Sequence, residues 1–300
     1  MIFLYKIICI ILIPIIKLNI RLRIKKNKEL LSRHKERYGY SNLNAINNNN
    51  LIWIHAASIG EFKSADYFIN KYHKEYTLLI TTTTVSAANY ANDHYADKIT
   101  HQFAPLDIDI WVNRFLNHWK PKFIIWIESD LWPNTLNTIK KRGIKAILVN
   151  ARLSPQSLKR WRLIPSFYNE LLNSFSLILA QSKIDQKRIN LITKRNIKFI
   201  GNLKLTPKNF NLEKNQEKIT RKNSNITRIM LTSTHEKEES LLIPIIENFL
   251  KKDKNLQLII APRHIERSKQ IFTLCAKYNI SCQLESAKNK NSKDAIIIDT

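Results

Sequence analysis

The chain has 300 residues and a formal net charge of +25, and its length favours two domains of roughly 150 residues each. The charge is spread over a sequence dominated by Ile, Lys and Asn, and no recognition motif accompanies it, so we expect no nucleic-acid binding. The cysteines Cys9, Cys275 and Cys282 lack metal-ligand spacing. We therefore expect reduced thiols, no metal site and no cofactor.

An apolar segment comes first in the chain. Residues 7–16 are continuously apolar, but this run is shorter than the ~20 residues of a bilayer span, and Pro14 interrupts it. A cluster of Lys and Arg follows, from Lys17 to Arg37. An apolar insert beside a basic stretch predicts attachment to an anionic membrane surface, with the rest of the chain on the cytoplasmic side. The alternative is a buried core helix.

Strand-like and helix-like runs alternate beyond residue 40, which predicts an α/β fold with parallel sheets. We assign residues 1–40 to a membrane-anchor helix and its basic flank, and 41–205 to a Rossmann-like domain. Residues 206–227 are expected to form a linker with a surface helix, and 228–300 a second α/β domain. The predicted strands are residues 51–55, 77–84, 122–127, 146–150, 176–180, 198–200, 228–232 and 256–260.

Glu61 is the first candidate for chemistry. It follows the apolar strand 51–55, a short run of small residues and Gly60, so it falls in the first turn of the next predicted helix. Ligands of open α/β sheets bind at this carboxyl edge of the strands. The alternative is that Glu61 only complements the helix dipole.

Other polar residues follow strands in the same way. Glu128, Arg152 and Lys204 would face the same crevice as Glu61 if their strands share one sheet. In the second domain, the pair Ser233–Thr234 predicts a helix start with a capping hydroxyl and free amides for a phosphate. Arg263 follows another strand and could bind a phosphodiester, although capping alone would explain the Ser–Thr pair.

Eight segments in order resemble the motifs of 3-deoxy-D-manno-octulosonic acid (Kdo) transferases. The resemblance implies a two-domain, inverting GT-B glycosyltransferase that moves Kdo from CMP-Kdo onto lipid IVA, the lipid A precursor. It also implies lipopolysaccharide synthesis at the cytoplasmic face of the bacterial inner membrane. The segments are His55–Glu61, Ala104–Asp107, Arg114–Leu116, Glu128–Asn134, Asn150–Ser154, Gly201–Lys204, Ser233–Glu236 and Pro262–His264.

The resemblance also implies roles for single residues. Glu61 matches the general base that deprotonates the acceptor hydroxyl, while Glu128 and Lys204 match transition-state stabilisers. A helix N-terminus lowers a carboxylate's pKa, whereas a base works best near neutrality, so we expect partial burial or Glu128 to offset the dipole. The implied substrate-binding residues are Ser58, Gly60, Arg152, Ser233, Thr234, His235, Pro262 and Arg263.

The chain departs from the family pattern in two ways. Ser129 and Asp130 stand where the family usually has Thr and Glu. The family also continues well beyond Thr300, with a glycine-rich segment and an Asn-containing motif that complete the CMP site. We therefore expect a Kdo transferase complete in its acceptor half and truncated in its donor half. Alternatives are a catalytically inactive membrane-surface fragment that retains only acceptor binding, and a basic nucleic-acid-binding protein.

Overall fold

The structure is a computed structural model that describes residues 1–44, 50–128, 130–205, 226–287 and 294–299. The chain divides into two compact units, Met1–Asn209 and Phe210–Thr300. The expected linker with its surface helix lies outside the described residues, apart from its last two positions. The domain boundaries drawn from the sequence stay predictions.

The apolar N-terminus forms two helices, α1 (Ile2–Ile11) and α2 (Ile13–Lys25), which meet at a bend of 59°. Pro14 lies in the first turn of α2, where its missing N–H and fixed φ are tolerated although it cannot continue a preceding helix. Among the described residues, no single helix has the length and apolarity to cross a membrane, while the bent pair meets both criteria when taken together.

A 3-10 helix, Leu31–Tyr38, leads from α2 into the first unit. It ends at Gly39, whose φ of +76° is left-handed. A Cβ at this position would lie 2.1 Å from the carbonyl oxygen of Trp111, so only glycine fits.

The described part of the first unit contains a seven-stranded parallel sheet in the order β3-β2-β1-β4-β5-β6-β7. The strands are β1 (Leu51–His55), β2 (Thr77–Thr82), β3 (Thr100–Phe103), β4 (Phe123–Ile127), β5 (Lys145–Ala151), β6 (Leu177–Ala180) and β7 (Lys198–Phe199). The connecting helices are α3 (Ile59–Tyr72), α4 (Val85–Tyr95), α5 (Asp109–Trp119), α6 (Pro133–Lys141), α7 (Pro155–Trp161), α8 (Pro165–Leu172) and α9 (Lys183–Asn190).

The sheet is buried on both faces, and all five residues of β1 are buried, as its continuous apolar run predicts. On one face Trp53 and Trp126 belong to a core cluster with Phe115 of α5. On the other face Ile54 packs in a cluster with Phe62 of α3. The predicted α/β class is confirmed.

The strand order reverses between β1 and β4. The chain runs outward from β1 to β2 and β3, then returns to place β4 on the other side of β1, with His55 beside Trp126 in register. A crevice opens at such a switch point, outside the carboxyl ends of the strands. Glu61 and Glu128 follow these two central strands.

The clearest departures from the strands predicted for the first unit are at β2 and β3, and in the second unit the strand Cys282–Leu284 was not predicted either. β2 ends at Thr82, two residues early, because the Thr84 hydroxyl caps α4 by accepting the Ala87 amide at 3.2 Å. β3 was not predicted. Its sequence, Thr-His-Gln-Phe, has no apolar run, since it is an edge strand whose polar side chains bind other parts of the unit.

The second unit is also a parallel α/β unit, with strand order β10-β11-β9-β8 in its described part. Its strands are β8 (Thr227–Thr234), β9 (Leu256–Pro262), β10 (Cys282–Leu284) and β11 (Ala295–Ile297). Its helices are α10 (Glu236–Lys252) and α11 (Ser268–Lys277), with a short 3-10 helix at Ile265–Arg267. Its core cluster includes Ile243, Leu258, Ile260, Ile271 and Cys275.

Candidate functional site

Glu61 is held where β1 turns into α3. Ser58 caps the helix, its hydroxyl oxygen accepting the Glu61 amide at 3.3 Å. The Glu61 carboxylate reaches back and accepts the Ala57 amide at 2.7 Å and the Ser58 hydroxyl at 3.4 Å. This is a variant of the capping box, in which the acidic side chain and the cap satisfy each other. Glu61 therefore does cap the helix, and its carboxylate is fixed at the carboxyl edge of β1.

The environment of Glu61 makes its carboxylate a weaker acid than usual. Burial is the largest cause and raises its pKa to about 7, assisted by the charges of Glu128 and Asp130. The hydrogen bonds from Ala57 and Ser58 oppose this rise because they favour the charged form. The expected offset against the helix dipole is thus present, with burial as its main source.

Glu128 ends β4 in a backbone conformation that is unusual for its residue type. Its φ is +66°, in the left-handed region that disfavours residues with a Cβ. The side chain is 10% exposed and forms a close ion pair with Lys204. Strain of this kind persists only where surrounding contacts fix it, and it concentrates at functional sites.

Asn150, at the end of neighbouring β5, ties the two partners of this ion pair together. Its side-chain amide donates to Glu128 Oε1 at 3.4 Å, and its Oδ1 accepts the Leu203 amide at 3.1 Å. Lys204 Nζ lies 3.7 Å from the position that a Cβ would take at Gly60. The turn before Glu61, the Glu128 carboxylate and the Lys204 ammonium therefore meet at one edge of the sheet. No role was predicted for Asn150 from the sequence, although it follows a predicted strand and belongs to the segment Asn150–Ser154 that resembles a family motif.

Arg152 lies on the β5 side of the same edge, beside a cavity of about 120 Å³. Glu128, Asp130 and Arg152 line the cavity together with Trp161 and the buried Tyr168. Within the described part of the chain, the exposed Arg152 guanidinium makes no ion pair or hydrogen bond. It is a cation available to a ligand.

Other motif residues build the framework that supports the acidic loop after β4. The half-buried Asp107 carboxylate accepts the amides of Asn134 at 3.0 Å and Thr135 at 2.8 Å, which anchors the start of α6. Trp126 donates its indole N–H to the Asp130 carbonyl at 2.8 Å, and Trp132 packs on His55 with ring centroids 4.6 Å apart. These residues act on the loop through packing and hydrogen bonds, which explains why motif residues extend beyond the candidate catalytic ones.

His55 is the buried residue of this framework. Complete burial lowers its pKa to about 3, so the ring is neutral at physiological pH. Its Nδ1 lies 2.9 Å from the Thr81 hydroxyl oxygen, and its ring lies 4.2 Å from that of Trp126. His55 therefore serves the site as a packed aromatic ring.

The second unit places its candidate residues at the carboxyl ends of β8 and β9, where Ser233 has a φ of +56°. The expected capping hydroxyl was wrong: α10 begins at Glu236 with His235 as its N-cap. The hydroxyl of Thr234 instead donates to the buried Glu239 at 2.7 Å. Arg267 forks onto the same carboxylate, with both contacts at 3.0 Å.

Backbone hydrogen bonds join the rest of this set. The His235 amide donates to the Glu238 carboxylate at 2.9 Å. Pro262 is buried at the end of β9, and the following Arg263 amide donates to the Thr234 carbonyl at 3.0 Å. The Arg263 side chain is exposed beside the β8–α10 turn. The sequence therefore predicted two groups of residues, one in each unit, and the members of each group lie at one sheet edge.

Comparison with known proteins identifies a family. Residues 32–206 match the family model described as 3-deoxy-D-manno-octulosonic-acid transferase (kdotransferase). The 3-deoxy-D-manno-octulosonic acid transferase of Rickettsia bellii is 35% identical over 96% of this chain and 69% of its own length. The Rickettsia felis protein of that name is 36% identical over 83% of this chain and 55% of its own length. The Haemophilus influenzae protein is 30% identical over 92% of this chain and 66% of its own length. The chain thus spans little more than half of some relatives.

Solved structures of low sequence identity share the fold. UDP-GlcNAc 2-epimerase from Neisseria meningitidis, solved with UDP-GlcNAc, has a TM-score of 0.53 and 12% identity, covering 83% of this chain and 72% of its own. A glycosyltransferase from Rickettsia africae has a TM-score of 0.50 and 14% identity, and the match covers 77% of this chain and 66% of the other. These likenesses concern the fold alone, which is an α/β fold of the GT-B type.

Proposed function

Because the chain belongs to the Kdo transferase family, we propose that it transfers Kdo from CMP-Kdo to lipid IVA in lipopolysaccharide synthesis. The observation that carries the proposal is the position of Glu61. Its carboxylate lies at the switch point of the sheet, has a pKa of about 7, and is accompanied by the Glu128–Lys204 ion pair. That arrangement suits proton abstraction from a hydroxyl next to a developing charge.

Glu61 is the proposed general base. It would accept the proton of the acceptor hydroxyl as the oxygen attacks the anomeric carbon of Kdo, while the bond to CMP breaks. A base whose pKa lies near the working pH is ionised in a substantial fraction of the molecules and still binds a proton well. The hydrogen bond from the Ala57 amide holds the Glu61 carboxylate in a defined orientation for this step.

Glu128 and Lys204 are the proposed stabilisers of the transition state. Their mutual ion pair and the contact from Asn150 hold the Lys204 ammonium in place before substrate arrives. A preorganised cation stabilises developing negative charge without reorganisation during the reaction. Ser58, Gly60 and Arg152 are proposed to bind substrate at this edge, with the exposed Arg152 guanidinium suited to an anionic group.

Donor binding is proposed for the second unit. The exposed Arg263 guanidinium is suited to the phosphate of CMP, beside Pro262 and the turn that contains Ser233, Thr234 and His235. The Thr234 hydroxyl is committed to Glu239, so this turn would contribute mainly backbone groups.

The N-terminal helices support a proposed location at the cytoplasmic face of the bacterial inner membrane. Every residue of α1 is at least partly exposed, with Phe3 76% and Ile11 69% exposed. A groove along α2 combines apolar Ile15 and Leu18 with basic Arg23 and neighbouring lysines. Apolar surface next to cations is the combination that binds an anionic lipid surface.

The test is transfer of Kdo from CMP-Kdo to lipid IVA by Glu61→Gln. We expect a loss of about 10² to 10⁴-fold relative to the unaltered protein, because the amide cannot accept the proton. Glu75→Gln, the same change at an exposed residue just after α3, should keep full activity. Retained activity in Glu61→Gln would refute the role of Glu61. An unaltered protein that binds lipid IVA without transferring Kdo would support the acceptor-binding alternative instead.

A further inference from the structure

The contact that fixes the Glu61 carboxylate depends on the position of one short backbone segment. The Ala57 amide donates to Glu61 Oε2 at 2.7 Å. On its other side, the Ala57 carbonyl accepts two hydrogen bonds from Thr83, one from the amide at 2.9 Å and one from the hydroxyl at 2.8 Å. Ala57 is therefore held at both its amide and its carbonyl group. Glu61 binds the amide, and Thr83 binds the carbonyl.

Thr83 is itself held by a buried ion pair. Its carbonyl accepts a hydrogen bond of 2.6 Å from Arg37 Nη2. Arg37 also donates to both carboxylate oxygens of Glu29 at 3.0–3.1 Å, and the side chains of this pair are each only 3% exposed. The Arg37 guanidinium lies over the Phe103 ring, 4.4 Å from its centre. Four residues thus connect the segment after α2 to the base: Glu29, Arg37, Thr83 and Ala57.

The location of this ion pair distinguishes it from ordinary packing. A buried ion pair pays a large desolvation cost and is often no more stable than apolar residues of equal volume. The Arg37 guanidinium, however, binds backbone carbonyls at the carboxyl edge of the sheet, those of Thr83 and, at 3.4 Å, Ala104. Directional bonds fix geometry where apolar packing would allow sliding.

We propose that Thr83 is a positioning residue for Glu61, and that the Glu29–Arg37 ion pair fixes Thr83 for this purpose. Thr83 acts through Ala57 and does not itself touch the reacting groups. The proposal rests on the proposed function for its catalytic meaning, whereas the physical link between Thr83 and Glu61 can be measured without activity.

The link has a measurable sign. The Ala57 amide stabilises the ionised form of Glu61, so a looser Ala57 peptide weakens this bond and raises the Glu61 pKa. The charged groups that face Glu61 are Glu128, Asp130 and Lys204, and a change at Thr83 alters none of them. A shift in the titration of Glu61 would therefore report on the Ala57 contact.

The experiment is a carbon-13 NMR titration of glutamate-labelled full-length protein, with the Glu61 signal assigned by its loss in Glu61→Gln. Thr83→Val removes only the hydroxyl, at nearly unchanged volume. We expect it to raise the Glu61 pKa by about 0.5 or more. Complete loss of a charge-assisted hydrogen bond would raise this pKa by about 1 to 2, and Thr83→Val should only weaken the bond. Thr83→Ser keeps the hydroxyl and should restore the original titration.

Thr84→Val is the matched control, because it removes the neighbouring hydroxyl, which accepts the Ala87 amide to cap α4, and it leaves the Thr83 hydroxyl bond to the Ala57 carbonyl in place. It should lower thermal stability and leave the Glu61 titration unchanged. Where transfer is measured, Thr83→Val should shift the acidic limb of the pH profile of kcat/KM to higher pH, because Glu61 must be ionised to act.

Three titration results would overturn the proposal: an unchanged Glu61 pKa in folded Thr83→Val, an equal shift in Thr83→Ser, or an equal shift in Thr84→Val. A change in KM alone would mean that Thr83 contacts substrate, which also overturns it. Full activity of Glu61→Gln would refute the base assignment and leave the titration result standing, so the two failures are distinguishable.

Discussion

Glu61→Gln should make the protein more stable at alkaline pH as well as inactive. Gln resembles the protonated carboxyl group in shape and charge, and its amide oxygen can still accept the Ala57 hydrogen bond. The unaltered protein must instead keep a partly buried charge in the folded state above pH 7. When a residue serves function at the expense of stability, its replacement lowers activity and raises stability.

The magnitude follows from the pKa of Glu61, which rises from an ordinary 4.5 to about 7. For a fully buried group this difference corresponds to about 3 kcal/mol. Glu61 is only partly buried, so solvent screening reduces the expected gain to about 1–2 kcal/mol. For a unit of this size the midpoint of thermal unfolding should rise by about 4 °C.

The sign of the pH dependence is fixed by linkage. The folded state holds the Glu61 proton more tightly than the unfolded state, so the stability of the unaltered protein falls as pH rises from about 4.5 to about 7. Above that window the loss is complete and constant. The stability difference between Glu61→Gln and the unaltered protein should therefore grow from pH 5 to pH 7.5 and then level off.

Thermal unfolding at a series of pH values, monitored by circular dichroism, measures this difference. Glu75→Gln removes the same charge at an exposed position and corrects for the change in net charge. The reasoning would be refuted if Glu61→Gln were less stable than the unaltered protein at pH 8, or if the difference did not change with pH.

Two further predictions concern the ion pair and the N-terminal helices. Lys204→Met should lower Kdo transfer by about 10² to 10³-fold and also lower thermal stability, because it leaves the buried Glu128 charge unpaired. The control is Lys198→Met, at an exposed position on β7. Equal activity of the two variants would contradict the role of Lys204 in stabilising the transition state. Replacing the exposed Phe3 and Ile11 with Ser should reduce co-sedimentation with anionic vesicles without unfolding the protein; unchanged sedimentation in both low and high salt would place the membrane contact elsewhere.

The central part of the fold could be predicted because its physical signal is local. The continuous apolar run of β1 defines a buried strand, and the small residues and Gly60 after it mark its end. β3 gave no such signal, because the polar residues of this edge strand satisfy distant groups: Gln102 donates to the Tyr40 carbonyl and accepts from the Trp119 indole. Strand pairing that depends on such partners cannot be deduced from a four-residue segment.

The candidate site was predictable by position and only partly by contact. Parallel strands bring their carboxyl ends to one edge, so the sequence order alone predicted that Glu61, Glu128 and Lys204 would be neighbours. It did not predict the direct Glu128–Lys204 ion pair, nor the buried Glu29–Arg37 pair. These contacts depend on side-chain direction and on the path of the chain before β1, neither of which has a periodic signature.

Three residues at strand ends have an unusual backbone conformation. Glu128, Asn150 and Ser233 each end or nearly end a strand with a positive φ, of 66°, 56° and 56°. Glycine would adopt this conformation without strain, whereas other residues incur about 1–3 kcal/mol. For Asn150 the cost is smallest, since Asn tolerates the left-handed region. For Glu128 the cost is larger, and the same residue supplies the carboxylate that binds Lys204 and accepts from Asn150. The left-handed turn therefore holds at the carboxyl edge of the sheet a carboxylate that pairs with Lys204, whose Nζ lies 3.7 Å from the Cβ position of Gly60, the residue before Glu61.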